Sequence, residues 1–441
     1  MTQLKQKISL TGLTLMAVGA CIGSGIFVTP AQIAAEVTDT SLILAVWLLG
    51  GIVALTGALT FSELGGLFPR SGGVYVYLKE AYGDWVGFLY GWVTLLVINT
   101  GALAGLCVAF AEYMTIFIPG MGEGQKMGLA AGTMLGLTAL NVLGVEMSQR
   151  LSNVFTGLKL VAIGGLIVAG FWFYNPSVHA FSVEAPSTAP STWLGGILTA
   201  LVGVLFSMGG WHHASYLAGE TIQPQKTVPR AMFLGVLLVT IVYLLVNIAY
   251  MMLLPTDAIA RSPRVAADAM AVLGSWGAPA VSIAIAISIF GTISIYTMSA
   301  PRVYFAMAQD GLFFKQLSYV HPRWRTPVVA MGVQVLWALL VVLFFRGVFD
   351  QIITFVTFMD IVFMAFAGIA LFVFRKKRPE AVRTIKAWGY PVVPLVFILI
   401  SLVFSVHVLL EKPAQALPGV GLLVLGMGVY AVFWRKSKKP A

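Results

Sequence analysis

Gly19-Ala-Cys-Ile-Gly-Ser-Gly-Ile-Phe27 breaks the first hydrophobic stretch of this chain with glycines at 19, 23 and 25. A second break, Phe206-Ser-Met-Gly-Gly-Trp211, interrupts another apolar stretch well into the second half. A helix in lipid must satisfy its own backbone, so unwound chain survives there only where it lines a cavity or is buried in protein. Two interrupted spans at corresponding places in two halves point to the substrate site of a secondary transporter. The pattern implies a carrier.

Composition sets the surroundings of these breaks. The 441 residues are 59% hydrophobic and only 10% charged, with a mean hydropathy of +0.91. Soluble chains carry about a quarter charged residues. At roughly 20 residues per crossing, about twelve spans are expected, centred on Ala20, Leu55, Leu96, Leu137, Val161, Val204, Val242, Ile287, Leu336, Phe363, Ile398 and Leu425. The fold class is therefore an all-α integral membrane protein, read as one transmembrane domain with spans 1 and 6 unwound. Because the breaks lie five spans apart, an odd number, the second five spans are inverted relative to the first. The expected division is 11–175 and 195–377 for the two repeats, with two further helices in 388–435.

The net charge of +10 reports topology. With both termini inside, most of the Lys and Arg fall in cytoplasmic segments, among them Lys5, Lys7, Arg70, Lys79, Arg150, Arg302, Arg323, Arg325, the run Arg375-Lys-Lys-Arg378, Arg435, Lys436, Lys438 and Lys439. Lys126, Arg261, Arg264, Arg346 and Lys412 are left outside. This asymmetry is the positive-inside rule, and it makes a nucleic-acid partner unnecessary. The expected location is the inner or plasma membrane, with both termini cytoplasmic. The start of the chain looks superficially like a signal peptide but lacks a small-residue cleavage site, and is read as span 1. Cys21 and Cys107 both fall in spans, away from any Cys-x-x-Cys spacing, so neither a disulfide nor a metal framework is expected. His-Glu-x-x-His and Gly-x-Ser-x-Gly are absent, which argues against an enzyme; no cofactor is expected. Between spans 2 and 3, Glu63 to Leu78 reads as a partly buried loop or short lateral helix. Residues 175–192 and 256–276 read as external excursions.

Chemistry concentrates at the breaks. Unwinding at Ser24 and Gly25 frees backbone amides at the start of a second half-helix, where the helix dipole also favours an anion such as a carboxylate. The carbonyls ending the first half-helix suit an ammonium. A zwitterionic amino acid offers both charges. The alternative is a glycine-rich packing face. Lys159 falls well inside span 5, a placement that costs about 2.5–3.5 kcal/mol on insertion scales and marks a functional residue by default. Ser288 and Thr292, one turn apart in span 8, and the loose carbonyls of span 1 are its candidate acceptors. Snorkelling to the interface is the other reading. Asp360 is the acidic residue nearest the middle of a span, and His212 and His213 follow the second break. Together they form a possible proton-sensitive group. Phe206 and Trp211 flank that break as candidate gating aromatics.

Six stretches carry a resemblance. They are Ile22-Gly-Ser-Gly-Ile-Phe27, Phe68-Pro-Arg-Ser-Gly-Gly-Val-Tyr-Val-Tyr77, Leu205-Phe-Ser-Met-Gly-Gly-Trp211, Val228-Pro-Arg-Ala-Met232, Ser288-Ile-Phe-Gly291 and His321-Pro-Arg-Trp-Arg-Thr-Pro327. In this order they resemble the amino acid–polyamine–organocation superfamily, within it the L-type amino acid transporters and bacterial serine/threonine exchangers. The resemblance implies a leucine-transporter-like fold and sodium-independent, alternating-access movement of L-amino acids, often as exchange. It implies that the amides of Ser24, Gly25 and Ile26 hold the substrate carboxylate. Carbonyls near Cys21, Phe206 and Gly209 would hold its amino group, with Ser207, Trp211 and His212 nearby. Phe206 would gate the site from outside, and Lys159 would replace a sodium ion. His212-His213 and Asp360 depart from the family pattern, and a proton-coupled symporter using Lys159 or the Asp360/His212 region is the alternative. Animal members join an accessory glycoprotein through an external cysteine, a partnership not expected of this chain.

Overall fold

The broken first helix sits at the centre of the bundle. In the computed structural model, which describes residues 4–176, 190–345 and 349–433, Leu10–Cys21 packs against Pro224–Leu253, Val145–Trp172 and Gly277–Ser299. Its continuation, Gly25–Glu36, leaves at an angle of about 40° and packs on Pro190–Met208. The expected loop at 175–192 lies mostly outside the described residues. So do Arg346, Arg435, Lys436, Lys438 and Lys439.

Among the described residues, nine helices are long and apolar enough to cross a bilayer, or ten when the bent pair counts as one crossing. The other two expected crossings fall on Glu123–Val142, which is less apolar, and on Val328–Phe345, which is shorter. Length and composition alone therefore stop short of twelve. The described residues form no strand; an isolated bridge pairs Ile8 with Thr221.

Helix Val145–Trp172 shows how sequence sets facing. Ser148, Ser152, Thr156, Lys159 and Ile163 recur at three- and four-residue spacing, and all are buried. Val154, Leu158, Val161 and Val168 lie on the opposite side, with Val161 75% exposed. That spacing places each set on one helix face, the apolar one turned outward toward lipid and the polar one toward the first helix.

The segment between spans 2 and 3 is more ordered than a loop. Thr40–Leu67 runs on to Leu67, and after a Pro- and Gly-containing turn Val74–Tyr82 forms a short helix with Val74 to Leu78 buried. Gly73 joins them at φ +47°, where a β-carbon would stand 2.1 Å from Ser215 Oγ; only glycine fits such a backbone and such a gap. Tyr75 donates to Asp310 at 2.9 Å, and Lys79 pairs with the same carboxylate at 2.7 Å. Glu63 receives Arg375 at 2.6 Å, Arg383 at 2.8 Å and the Ala387 amide at 2.8 Å.

The deepest ion pair ties the end of the eighth span to the segment after the sixth. Arg302 Nε and Nη2 donate to the two oxygens of Glu220 at 2.7 and 2.9 Å, and both side chains are fully buried. The Glu220 carbonyl also accepts the amides of Lys7 and Ile8 at 2.8 and 3.0 Å. Removing one partner of such a pair leaves an uncompensated buried charge, which costs about 3–5 kcal/mol, whereas apolar replacement of both is often neutral. Glu220→Ala is therefore expected to lower the melting temperature in detergent strongly. Glu220→Leu combined with Arg302→Met should recover most of the loss, and equal melting of the single and double variants would contradict this reading.

Candidate functional site

Between Cys21 and Gly25 the first helix stops and restarts. The Gly23 amide turns back to the Cys21 carbonyl at 2.9 Å, and the amides of Phe27 and Val28 both reach the Ser24 carbonyl at 3.1 Å. The amides of Ser24, Gly25 and Ile26 donate to no described group. Three adjacent donors are thus left at the head of Gly25–Glu36.

The carbonyls behind the break are held from the other side. Lys159 sits near the middle of Val145–Trp172, 1% exposed. Its Nζ donates to the carbonyls of Gly19 at 3.1 Å and Ile22 at 2.6 Å, and to Thr292 Oγ1 at 2.9 Å. The Thr292 hydroxyl lies 2.9 Å from each of the same two carbonyls, and Ser288 Oγ lies 3.3 Å from that of Ile22. An ammonium with these partners is not snorkelling. It supplies donors to a helix end that has lost its own.

The second break abuts the first. Pro190–Met208 ends, Gly210 adopts φ +100°, and a short helix resumes at His213–Tyr216. A β-carbon on Gly210 would lie 2.8 Å from the Ala20 carbonyl oxygen, and one on Gly25 would lie 2.5 Å from Ser207 Oγ. Both glycines permit backbone-to-backbone approach. Thr29 Oγ1 and Ser207 Oγ share a hydrogen bond at 2.9 Å. Tyr243, from the next helix, places its hydroxyl 2.9 Å from the Cys21 carbonyl and 3.1 Å from that of Ser207, bridging the two breaks.

Where the breaks meet they line a small cavity of about 50 Å³. Helices Asn99–Met114, Gly277–Ser299 and Phe349–Lys377 complete its wall.

A family model described as "Amino acid permease" matches residues 8–431. The chain belongs to the amino acid permease family. It is 32% identical to the serine/threonine exchanger SteT of Bacillus subtilis, over 99% of this chain and 98% of that protein. It is 31% identical to the large neutral amino acids transporter small subunit 2 of Mus musculus and 32% identical to the Asc-type amino acid transporter 1 of the same species. Both of these alignments cover 99% of this chain and 83% of the relative. The family and these relatives are transporters, not enzymes.

In this permease the cavity wall includes Cys21, Ser24, Gly25, Phe206, Ser207, Gly209 and His212, together with Thr292 and Asp360. Ile26 and Trp211 are not part of it. The Trp211 ring packs edge-on against Phe61, centroids 5.2 Å apart, so it faces helix Thr40–Leu67. Ser288 belongs to the Lys159 cluster instead. His212 and Asp360 share the cavity, yet no hydrogen bond joins them: His212 Nε2 and Asp360 Oδ1 are both buried without a partner. His213 differs from its neighbour, its Nδ1 lying 2.6 Å from Ser299 Oγ and its ring against Tyr296. Cys21 and Cys107 are buried free thiols.

Three further residues escaped the sequence reading: Tyr243, Asn99 and Thr357. Asn99 and Thr357 line the cavity. Asn99 directly follows a π-helical turn at Thr94–Ile98, a local widening that often accompanies functional sites. A polar residue inside an apolar span was the available signal for all three.

Gly210 offers a direct check on this geometry. Gly210→Ala imposes a left-handed backbone on a residue with a β-carbon, a strain of about 1–3 kcal/mol, and presses that carbon onto the Ala20 carbonyl. A lowered melting temperature is expected, whereas Gly132→Ala, at a position with open space around it, should leave stability unchanged or raised. Equal effects of the two would show that the breaks do not press together.

Proposed function

We propose that this permease is a sodium-independent exchanger of neutral L-amino acids working by alternating access. The observation that carries the reading is the set of three unclaimed amides at Ser24, Gly25 and Ile26, opening beside a cavity between two broken helices. A carboxylate is the anion that such a helix start accepts. The amino group of the same substrate would rest on carbonyls near Cys21, Phe206 and Gly209. Phe206, which lines the cavity, would close the site from outside. The names of the relatives, a serine/threonine exchanger and a large neutral amino acid transporter, support both the substrate class and the exchange mode.

Lys159 stands in this scheme for a bound sodium ion. Its fixed charge lies on the Gly19 and Ile22 carbonyls with Thr292, and Ser288 beside them, so a cation need not be recruited to hold the first half-helix. Residues 11–175 and 195–377 form the two inverted repeats, and 388–435 the two accessory helices. Both termini are cytoplasmic in a plasma or inner membrane. With both cysteines buried in the bundle, an accessory subunit would not be disulfide-linked.

Efflux of labelled serine or leucine from proteoliposomes in sodium-free buffer tests the proposal. Efflux that requires an external amino acid is expected. Efflux that proceeds without one and follows a pH gradient would replace exchange by proton coupling and turn attention to Asp360 and His212. Lys159→Ala is expected to abolish exchange or slow it more than about tenfold, since removing a buried hydrogen-bonded charge strands its acceptors. Near-normal exchange by a well-folded Lys159→Ala protein would remove Lys159 from the mechanism.

A further inference from the structure

The cavity holds more hydrogen-bonding capacity than an amino acid's α-groups use. Asn99, 0% exposed, makes no well-aligned hydrogen bond through Oδ1 or Nδ2, its polar neighbour being the Tyr304 phenol. Thr357 Oγ1, His212 Nε2 and Asp360 Oδ1 are likewise buried and unpartnered. Thr357 and His212 are 4% and 3% exposed. All four residues line the same cavity, Asn99 from one helix, Thr357 and Asp360 from a second, and His212 from the turn of the second break. Buried polar groups are paired in the great majority of cases, and each exception needs an explanation. One such atom is unremarkable; unpartnered atoms on four side chains around one cavity are a set of donors and acceptors waiting for a ligand.

We propose that Asn99, His212, Thr357 and Asp360 form a side-chain subsite that selects neutral amino acids ending in a hydroxyl or carboxamide over aliphatic amino acids of the same shape. This rests on the reading of the cavity as an amino acid site and names the substrate class within it. The chemistry is complementary. Asp360 accepts an O–H or N–H hydrogen bond from the ligand whether or not it carries a proton. Asn99 and Thr357 each donate and accept, as both a hydroxyl and a carboxamide require. A leucine or valine side chain in the same place would leave these groups desolvated and unpaired, and each such group costs about 1–3 kcal/mol. Sites built to hydrogen-bond a substrate group reject the analogue lacking it far more strongly than apolar pockets reject an extra methyl. The apolar part of the lining, Ile98, Ala102, Leu106 and Val356, suits the short carbon stem.

Two near-isosteric pairs isolate the effect: threonine against valine, and asparagine against leucine. In purified full-length protein, ligand-induced thermal stabilisation gives relative affinities without depending on exchange, and counterflow in proteoliposomes gives them for transport. Threonine and asparagine are expected to outcompete their isosteres by about tenfold or more. Thr357→Val and Asp360→Leu should narrow that ratio toward unity, while Thr357→Ser and Asp360→Asn, which keep a hydrogen-bonding group, retain most of it. A merely structural role would lower all affinities together and leave the ratio where it was. Equal or better binding of valine and leucine by the unaltered protein overturns the subsite, as does a preference for dibasic amino acids, which would make Asp360 a counter-ion. Polar selectivity in binding with no exchange would uphold the subsite and reject the exchange reading. Exchange without polar selectivity would do the reverse.

Discussion

Everything in this fold depends on how a helix can be cut in the middle of a membrane without being destroyed. The carbonyls that end Leu10–Cys21 have no partners within their own helix, and in lipid each would cost several kcal/mol. Lys159 answers this by placing one ammonium on the Gly19 and Ile22 carbonyls, with Thr292 as its third partner. The cost of burying that charge is offset by the acceptors it satisfies.

With one side of the break secured, the other is left open. The amides of Ser24, Gly25 and Ile26 lie at the head of the second half-helix, and the second break is pressed against the first by two glycines that lack the atom that would hold them apart. Tyr243 spans the Cys21 and Ser207 carbonyls. The result is a wall made of backbone, which in the proposed mode of binding would recognise what all amino acids share. Discrimination among them would then fall to side chains around the cavity. A carrier that reads the α-groups with main chain and the variable group with side chains can change its substrate without changing its fold.

The sequence made some of this readable and hid the rest, for a physical reason. A glycine break is local, and the spacing of Gly19, Gly23 and Gly25 inside an apolar stretch announces unwound chain without any knowledge of the surroundings. The burial of Lys159 follows from its depth in the span and from the seryl and threonyl residues that share its face at helical spacing. Asn99, Thr357 and Tyr243 lie on helices that are apolar all round, and an apolar helix does not disclose which side meets protein and which meets lipid. The same holds for Trp211, whose position in the second break placed it at the cavity although its ring faces Phe61. Arg302 and Glu220 show another limit. Each reads as an end-of-span charge, and only the folded chain brings them together, 82 residues apart.

In the proposed mode of binding the two breaks hold both α-groups of the substrate without sodium. The most direct measurement is binding of L-serine, its amide lacking the carboxylate, and the corresponding hydroxy acid lacking the amine, to the purified protein with and without sodium. Loss of either group is expected to abolish binding, and sodium to make no difference. Undiminished binding of the amide, or a requirement for sodium, would contradict that mode of binding.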